Sequence, residues 1–155
     1  MLTAAVLVGL TAGCNEDEGN LTIRCPGTGG AVAVTDGQLS IDGVVMRVTA
    51  ELDAPVAVDR GATFAVEVQV PASVSTSPAV ECVRMRKPTE NSQWDAVPER
   101  IAEVRDGSTT RVRAMGGEGP HWQPDEQFEV TGWLKTASSG RHVLTLGAQP
   151  VRRSQ

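Results

Sequence analysis

Tyrosine is absent from this 155-residue chain, and all aromatic residues together make up only 3% of it. Proteins that bind single-stranded nucleic acid stack its bases on aromatic side chains within a basic groove. This chain has few side chains for such stacking, and its formal net charge is −5. We therefore expect no nucleic-acid partner.

Catalytic motifs are missing as well. The chain has two histidines and contains no GxSxG, HExxH or HxH pattern, the patterns that position a serine nucleophile or bind a catalytic zinc ion. Paired carboxylates of the glycosidase type stay open, because any two of the nineteen acidic residues could converge. We expect a protein that is not an enzyme and that needs no metal or cofactor.

A short apolar stretch runs from Leu2 to Leu10 and ends in the small residues before Cys14. It is too short to cross a bilayer, which takes about 20 apolar residues. An apolar core followed by small residues is typical of a signal peptide. The sequence therefore predicts export.

The residues Thr11-Ala12-Gly13-Cys14 resemble the lipobox of bacterial lipoprotein signals, although no Lys or Arg precedes the apolar stretch. The resemblance implies a signal peptide over residues 1–13, a diacylglycerol thioether on Cys14, and a membrane partner reached through this lipid. Residues 14–20 contain three consecutive carboxylates, which repel one another and favour an extended acidic tether. We expect the protein on the periplasmic or cell-surface face of a membrane.

Two cysteines, Cys25 and Cys82, remain once Cys14 is modified. An even pair in an exported protein predicts a disulfide. The alternatives are a metal site or a catalytic thiol, but neither cysteine has CxxC spacing or a histidine near it in the sequence.

The hydrophobic pattern is that of strands, because apolar residues alternate with polar ones and no segment has a helical period. Asp-Gly pairs at 36–37, 42–43 and 106–107 are candidate hairpin turns. The longest loop is expected over Pro88 to Pro98. We predict one all-β sandwich domain over residues 21–150, with about seven to nine strands, and a short tail over 151–155. The strand segments are Leu21–Cys25, Val44–Leu52, Phe64–Val70, Phe128–Leu134 and, around the second cysteine, Val80–Cys82.

This pattern resembles the immunoglobulin-like and fibronectin-like sandwiches, in which a disulfide joins the two sheets. Alternation places both cysteines on the inward, apolar faces of their strands, and the resemblance implies that a bridge between Cys25 and Cys82 joins the two sheets. The chain lacks the tryptophan that follows the first cysteine of a true immunoglobulin domain, and position 80 holds Val80 instead of the tyrosine. The expectation therefore concerns the architecture alone, since a fold does not determine a function.

One segment, residues 116–126, has the chemical variety of a binding site. Its glycines and prolines predict an exposed loop. Ordinary turn chemistry is the simpler explanation of the loop, with Trp122 covering the core. Alternation places Trp133 on the outward face of its strand, where a packed cross-strand position is the simpler explanation and an aromatic platform for a glycan or a partner is the alternative. The candidate ligand patch consists of Glu118, His121, Trp122, Asp125 and Trp133.

Two functions follow from these expectations. The first is a lipid-anchored, non-catalytic interaction or accessory module whose partner is an envelope protein or glycan. The second is a module that binds a glycan or a metal ion through the 116–126 loop and the nearby tryptophans. Burial of both tryptophans and a neutral, convex surface around residues 116–126 would favour the first function. An exposed aromatic pair beside converging carboxylates would favour the second.

Overall fold

The computed structural model describes residues 23–57 and 59–154. These residues form strands and turns and contain no helix, as predicted. Nine strands have four or more residues, within the expected number, and two further strands have two residues each. The strands are β1 (Val32–Ala33), β2 (Gln38–Ile41), β3 (Val44–Ala54), β4 (Thr63–Pro71), β5 (Ala79–Lys87), β6 (Ser92–Ala96), β7 (Arg100–Asp106), β8 (Thr109–Gly116), β9 (Gln127–Thr136), β10 (Gly140–Pro150) and β11 (Arg152–Arg153).

The strands form two sheets. The first sheet has the order β1-β10-β9-β5-β6, and the second has the order β11-β3-β4-β8-β7 with β2 also paired to β3. The two-residue strands pair in parallel with their neighbours, and every other pairing is antiparallel. This arrangement confirms the predicted all-β sandwich.

The core lies between the sheets because the alternating pattern places one face of each long strand inward. Val48, Val68 and Val112 are neighbours across β3, β4 and β8, and each is at most 2% exposed. Val48 and Val68 belong to the same apolar cluster as residues of the first sheet, such as Val130 and Leu144. The predicted strands around residues 44–52, 64–70 and 128–134 are confirmed.

The predicted Asp-Gly turns at 42–43 and 106–107 connect paired strands, β2 to β3 and β7 to β8, and the pair at 36–37 lies in the turn closed by the bridge between Thr35 and Gln38. Gly37, Gly43 and Gly107 all have positive φ, and so do Asp36 and Asp42. These are backbone conformations that Gly, Asp and Asn adopt at lower cost than other residues. The three Asp-Gly pairs therefore fix where the chain reverses.

The disulfide between Cys25 and Cys82 is present, with the two Cα atoms 5.7 Å apart. The prediction that it joins the two sheets is wrong. Residues 23–27 belong to no strand, so the predicted strand ending at Cys25 is wrong as well. Cys82 lies on β5 in the first sheet, in a buried cluster with Cys25 and Trp133 that is separate from the main core. The bridge ties the segment 23–27, which we call the strap, to the outer face of that sheet.

Two other boundaries differ from the predictions. The region Pro88 to Pro98 is a short turn followed by strand β6, and Asn91 has the positive φ that lets the chain reverse there. The expected tail over 151–155 belongs to the domain through residue 154, because Val151 is buried and the amide of Ser154 donates to the carbonyl oxygen of Ala54.

The predicted signal peptide, the lipid attachment at Cys14 and the tether over 14–20 lie outside the described residues. In the part of the chain that the structure describes, there is no helix long and apolar enough to span a membrane.

Candidate functional site

The loop over residues 116–126 connects β8 to β9 and is held against the segment that precedes β4. The amide of Gly119 donates to the Ala62 carbonyl oxygen at 2.8 Å, and the amide of Ala62 donates to the Pro120 carbonyl oxygen at 3.2 Å. A Cβ atom added at Gly61 would lie 2.2 Å from the Gly119 oxygen. The close approach of these two segments therefore requires glycine at position 61.

Trp122 does not offer a surface for a ligand. Its side chain is 8% exposed and belongs to the main core, where its ring lies 6.4 Å from that of Phe128. An exposed tryptophan could stack on a sugar, but a buried one stabilises the sandwich. Trp122 therefore covers the core, which agrees with ordinary turn chemistry as the explanation of the loop.

Trp133 lies on the outward face of β9, as the alternation predicts, yet it is fully buried. The strap covers it, and its indole Nε1 donates to the carbonyl oxygen of Gly27 at 3.3 Å. The guanidinium carbon of Arg84 lies 5.3 Å from the centre of its ring, within the range of a cation–π contact. Trp133 and Trp122 occupy separate apolar clusters, so they do not form an exposed aromatic pair.

The three polar members of the predicted patch are only partly brought together. Glu118 and His121 are exposed and line one open cavity of about 530 Å³, together with Asp59 and Arg60. Asp125 lies in the turn before β9, where its amide donates to the carbonyl oxygen of Val151 at 2.8 Å. Across residues 23–57 and 59–154, no group of three or more His, Cys, Asp or Glu side chains is placed to hold a metal ion.

A different surface depression is larger than this cavity, and we call it the Trp94 groove. It has a volume of about 900 Å³ and runs between the strap, β6 and the start of the 116–126 loop. Phe64 and Trp94 lie at its apolar part in an edge-to-face contact, with ring centres 5.5 Å apart. The groove is lined by Ile23, Arg24, Cys25, Pro26, Gly27, Phe64, Arg84, Gln93, Trp94, Asp95, Ala96, Val97, Glu99, Gly117 and Glu118.

Gly116 makes room for the aromatic contact in this groove. A Cβ atom at position 116 would lie 2.2 Å from Cε1 of Phe64. The Phe64 ring can therefore reach Trp94 only because residue 116 has no side chain. This links the glycine-rich start of the loop to the shape of the groove.

An ion pair fastens the strap beside the groove. Nε of Arg84 lies 2.8 Å from Oδ1 of Asp95, and the amide of Cys25 donates to Oδ2 of the same carboxylate at 2.8 Å. Burial disfavours the charged carboxylate and acts to raise the pKa of Asp95, but the hydrogen bonds from Arg84 and Cys25 outweigh it and lower the pKa below its ordinary value. Asp95 thus stays ionised and joins β6 to the strap.

The rim of the groove is both apolar and acidic. Ile23 is 48% exposed and Val97 is 49% exposed. Glu99 and Glu118 are exposed, and neither forms an ion pair within the part of the chain that the structure describes. Carboxylates free to accept hydrogen bonds, next to an aromatic ring, suit the hydroxyl groups and apolar faces of a sugar.

Trp94 is not among the predicted site residues, because the sequence predicts a loop over the whole region 88–98. The run Pro88-Thr-Glu-Asn91 has residues typical of a turn, and this indicates that a strand can follow it. The residues after the turn form β6. The position of the strap had no such signal, since it depends on where the partner cysteine lies in the folded sheet.

Comparison of the chain with protein-family models and with curated proteins finds no match.

Proposed function

We propose that this protein is a lipid-anchored, extracytoplasmic module with a non-catalytic interaction or accessory role. The observation that supports the proposal best is the position of the disulfide. It fastens the strap at Cys25, eleven positions after the proposed lipid attachment at Cys14. Disulfides persist in oxidising compartments outside the cytoplasm, so the bridge agrees with export.

The burial of the two tryptophans also supports an interaction role over the ligand patch predicted from the loop. Trp122 belongs to the core and Trp133 lies beneath the strap, so neither can contact a ligand. The exposed members, Glu118, His121 and Asp125, have no exposed aromatic partner from the predicted set, because both tryptophans are buried.

The anchor can be tested by producing the full chain in a bacterial host and separating membranes with a phase-forming detergent. We expect the protein in the detergent phase, with Cys14 carrying a diacylglycerol group by mass spectrometry. The matched control is Cys14→Ala, which should move to the aqueous phase because no thioether can form. A wild-type chain that partitions into the aqueous phase would refute the anchor.

A second candidate function is glycan binding in the Trp94 groove, and the observation that favours it is the half-buried Trp94 beside Glu99 and Glu118. The test is tryptophan fluorescence during titration with soluble cell-wall oligosaccharides. A saturable change that is lost in Trp94→Phe and kept in His121→Ala would support this function. The absence of any change with the full chain would contradict it.

A further inference from the structure

Strand β7 is an exposed edge of the second sheet. All seven of its residues are exposed, and among residues 23–57 and 59–154 its only sheet partner is β8. Edge strands carry unpaired backbone N–H and C=O groups that can pair with another strand, and most proteins keep them short or cover them. β7 contains neither proline nor lysine, and it is longer than β6, the strand at one edge of the first sheet.

The inner face of β7 is not covered by the first sheet. Ile101 is the cross-strand partner of Ala114 on β8. Ala114 is completely buried, whereas Ile101 is 57% exposed. On the outer face, Val104 is 49% exposed. Both faces of the edge therefore present apolar area that a further strand would bury.

The charges along β7 suit a second copy of the same strand. We propose that two copies of this chain pair antiparallel through β7, with a two-fold axis at Val104. A two-fold axis perpendicular to the sheet places the inner faces of both copies on the same side of the extended sheet. Residues directly opposite each other then face the same way, so the axis must lie where one residue of β7 is opposite the same residue of the partner. The proposal deepens the interaction role proposed above by naming its partner, and it does not depend on the lipid anchor.

The register follows from the charges. With the axis at Val104, Glu103 of each copy lies opposite the partner's Arg105. Within one copy, Oε1 of Glu103 lies 3.5 Å from Nε of Arg105. Pairing therefore brings four charges of alternating sign together on the inner face, and the two Val104 side chains meet on the outer face. Opposite charges across strands stabilise a pair, and like charges directly opposite destabilise it.

The neighbouring registers are less favourable. An axis at Glu103 places that carboxylate opposite the partner's Glu103, although Arg100 then faces the partner's Asp106. An axis at Arg105 places that guanidinium opposite the partner's Arg105. An axis at Ala102 forms no pair of opposite charges between β7 residues. The register centred on Val104 is thus the one with two ion pairs and no repulsion directly across the strands.

Sedimentation equilibrium of the full chain in density-matched detergent tests the pairing. We expect a dimer whose dissociation constant rises at least about tenfold in Arg105→Glu, because the symmetry turns both ion pairs into repulsions. The double variant Glu103→Arg/Arg105→Glu restores the opposite charges and should recover the dimer. Both residues are exposed, so these variants should fold. A chain that is monomeric at every concentration overturns the proposal.

Cysteine cross-linking tests the register. Val104→Cys should form an inter-chain disulfide under mild oxidation, since residues at a two-fold axis between strands have Cβ atoms about 5 Å apart. Glu103→Cys is the matched control and should cross-link poorly. A dimer that cross-links more readily through Glu103→Cys overturns the proposed register. Because sedimentation measures pairing and detergent partition measures anchoring, failure of one proposal is distinguishable from failure of the other.

Discussion

Reduction of the disulfide between Cys25 and Cys82 should release the strap and expose Trp133. Three hydrogen bonds hold the strap without the bridge: Cys25 to Asp95, Arg84 to Cys25, and Trp133 to Gly27. The two that involve a charged group contribute about 1.5 to 3 kcal/mol each and the third about 1 kcal/mol, and covering an apolar side chain such as that of Trp133 adds up to about 3 kcal/mol. Fixing the backbone of five residues costs about 5 to 10 kcal/mol. The contacts and the entropy cost are therefore of similar size, so a large fraction of the straps is released once the covalent link is gone.

The measurement needs a chain in which Trp133 is the one fluorescent tryptophan. The sequence contains three tryptophans, so Trp94→Phe/Trp122→Phe leaves Trp133 alone. We expect acrylamide to quench its emission several-fold more strongly after reduction, with a shift of the emission to longer wavelength, because the indole passes from a buried site into water.

The control for this experiment is Cys25→Ala/Cys82→Ala in the same background. Its Trp133 should be accessible from the start and should not respond to the reductant. If Trp133 stays as protected in the fully reduced chain as in the oxidised one, with both thiols confirmed by alkylation, then the contacts of the strap outweigh its entropy cost and the prediction is wrong.

Three further predictions concern stability, each measured as the free energy of unfolding in denaturant. Gly61→Ala should lower it by about 1 to 3 kcal/mol, because the new Cβ meets the Gly119 backbone, whereas Gly27→Ala has open space and should change it little. Trp122→Ala should lower it by about 3 to 5 kcal/mol, and a small change would show that Trp122 is not part of the core. The lowered pKa of Asp95 stabilises the fold above about pH 4, the ordinary range of an aspartate pKa, and this contribution is lost as the pH falls through the folded-state pKa. Asp95→Asn should therefore lower stability at neutral pH and reduce its decline in acid, and an unchanged acid profile would contradict this.

The sequence was sufficient to predict the strands with long alternating patterns and the turns between them. In β3, β4 and β9, alternation determines which residues face the core, and Asp-Gly pairs determine where the chain reverses. These are local properties, so they can be read without knowing the tertiary structure.

The errors concern properties that are not local. Alternation correctly placed Trp133 on the outward face of β9, but it could not show that the strap buries that face. Alternation in β5 also predicted that Cys82 faces the core between the sheets. The register shift in β5 between Val80 and Cys82 places these two residues on different faces, with Val80 in the main core and Cys82 beneath the strap. A β-bulge of this kind shifts the alternation, so the side chains after it occupy the opposite faces of the sheet. The sequence gives no strong signal of such a bulge.

The strap has a mechanical consequence for the proposed anchor. From Cys14 to Cys25 the chain can extend at most about 40 Å, at about 3.3 to 3.6 Å per residue. The disulfide fixes the point at which this length meets the domain, on the outer face of the first sheet. Strand β7 lies in the other sheet and has an exposed edge. Two anchored copies could therefore approach each other through β7 while both tethers stay attached elsewhere. If the bridge is lost, the tether lengthens by the released strap, and the domain is held less closely to the membrane without any change in β7.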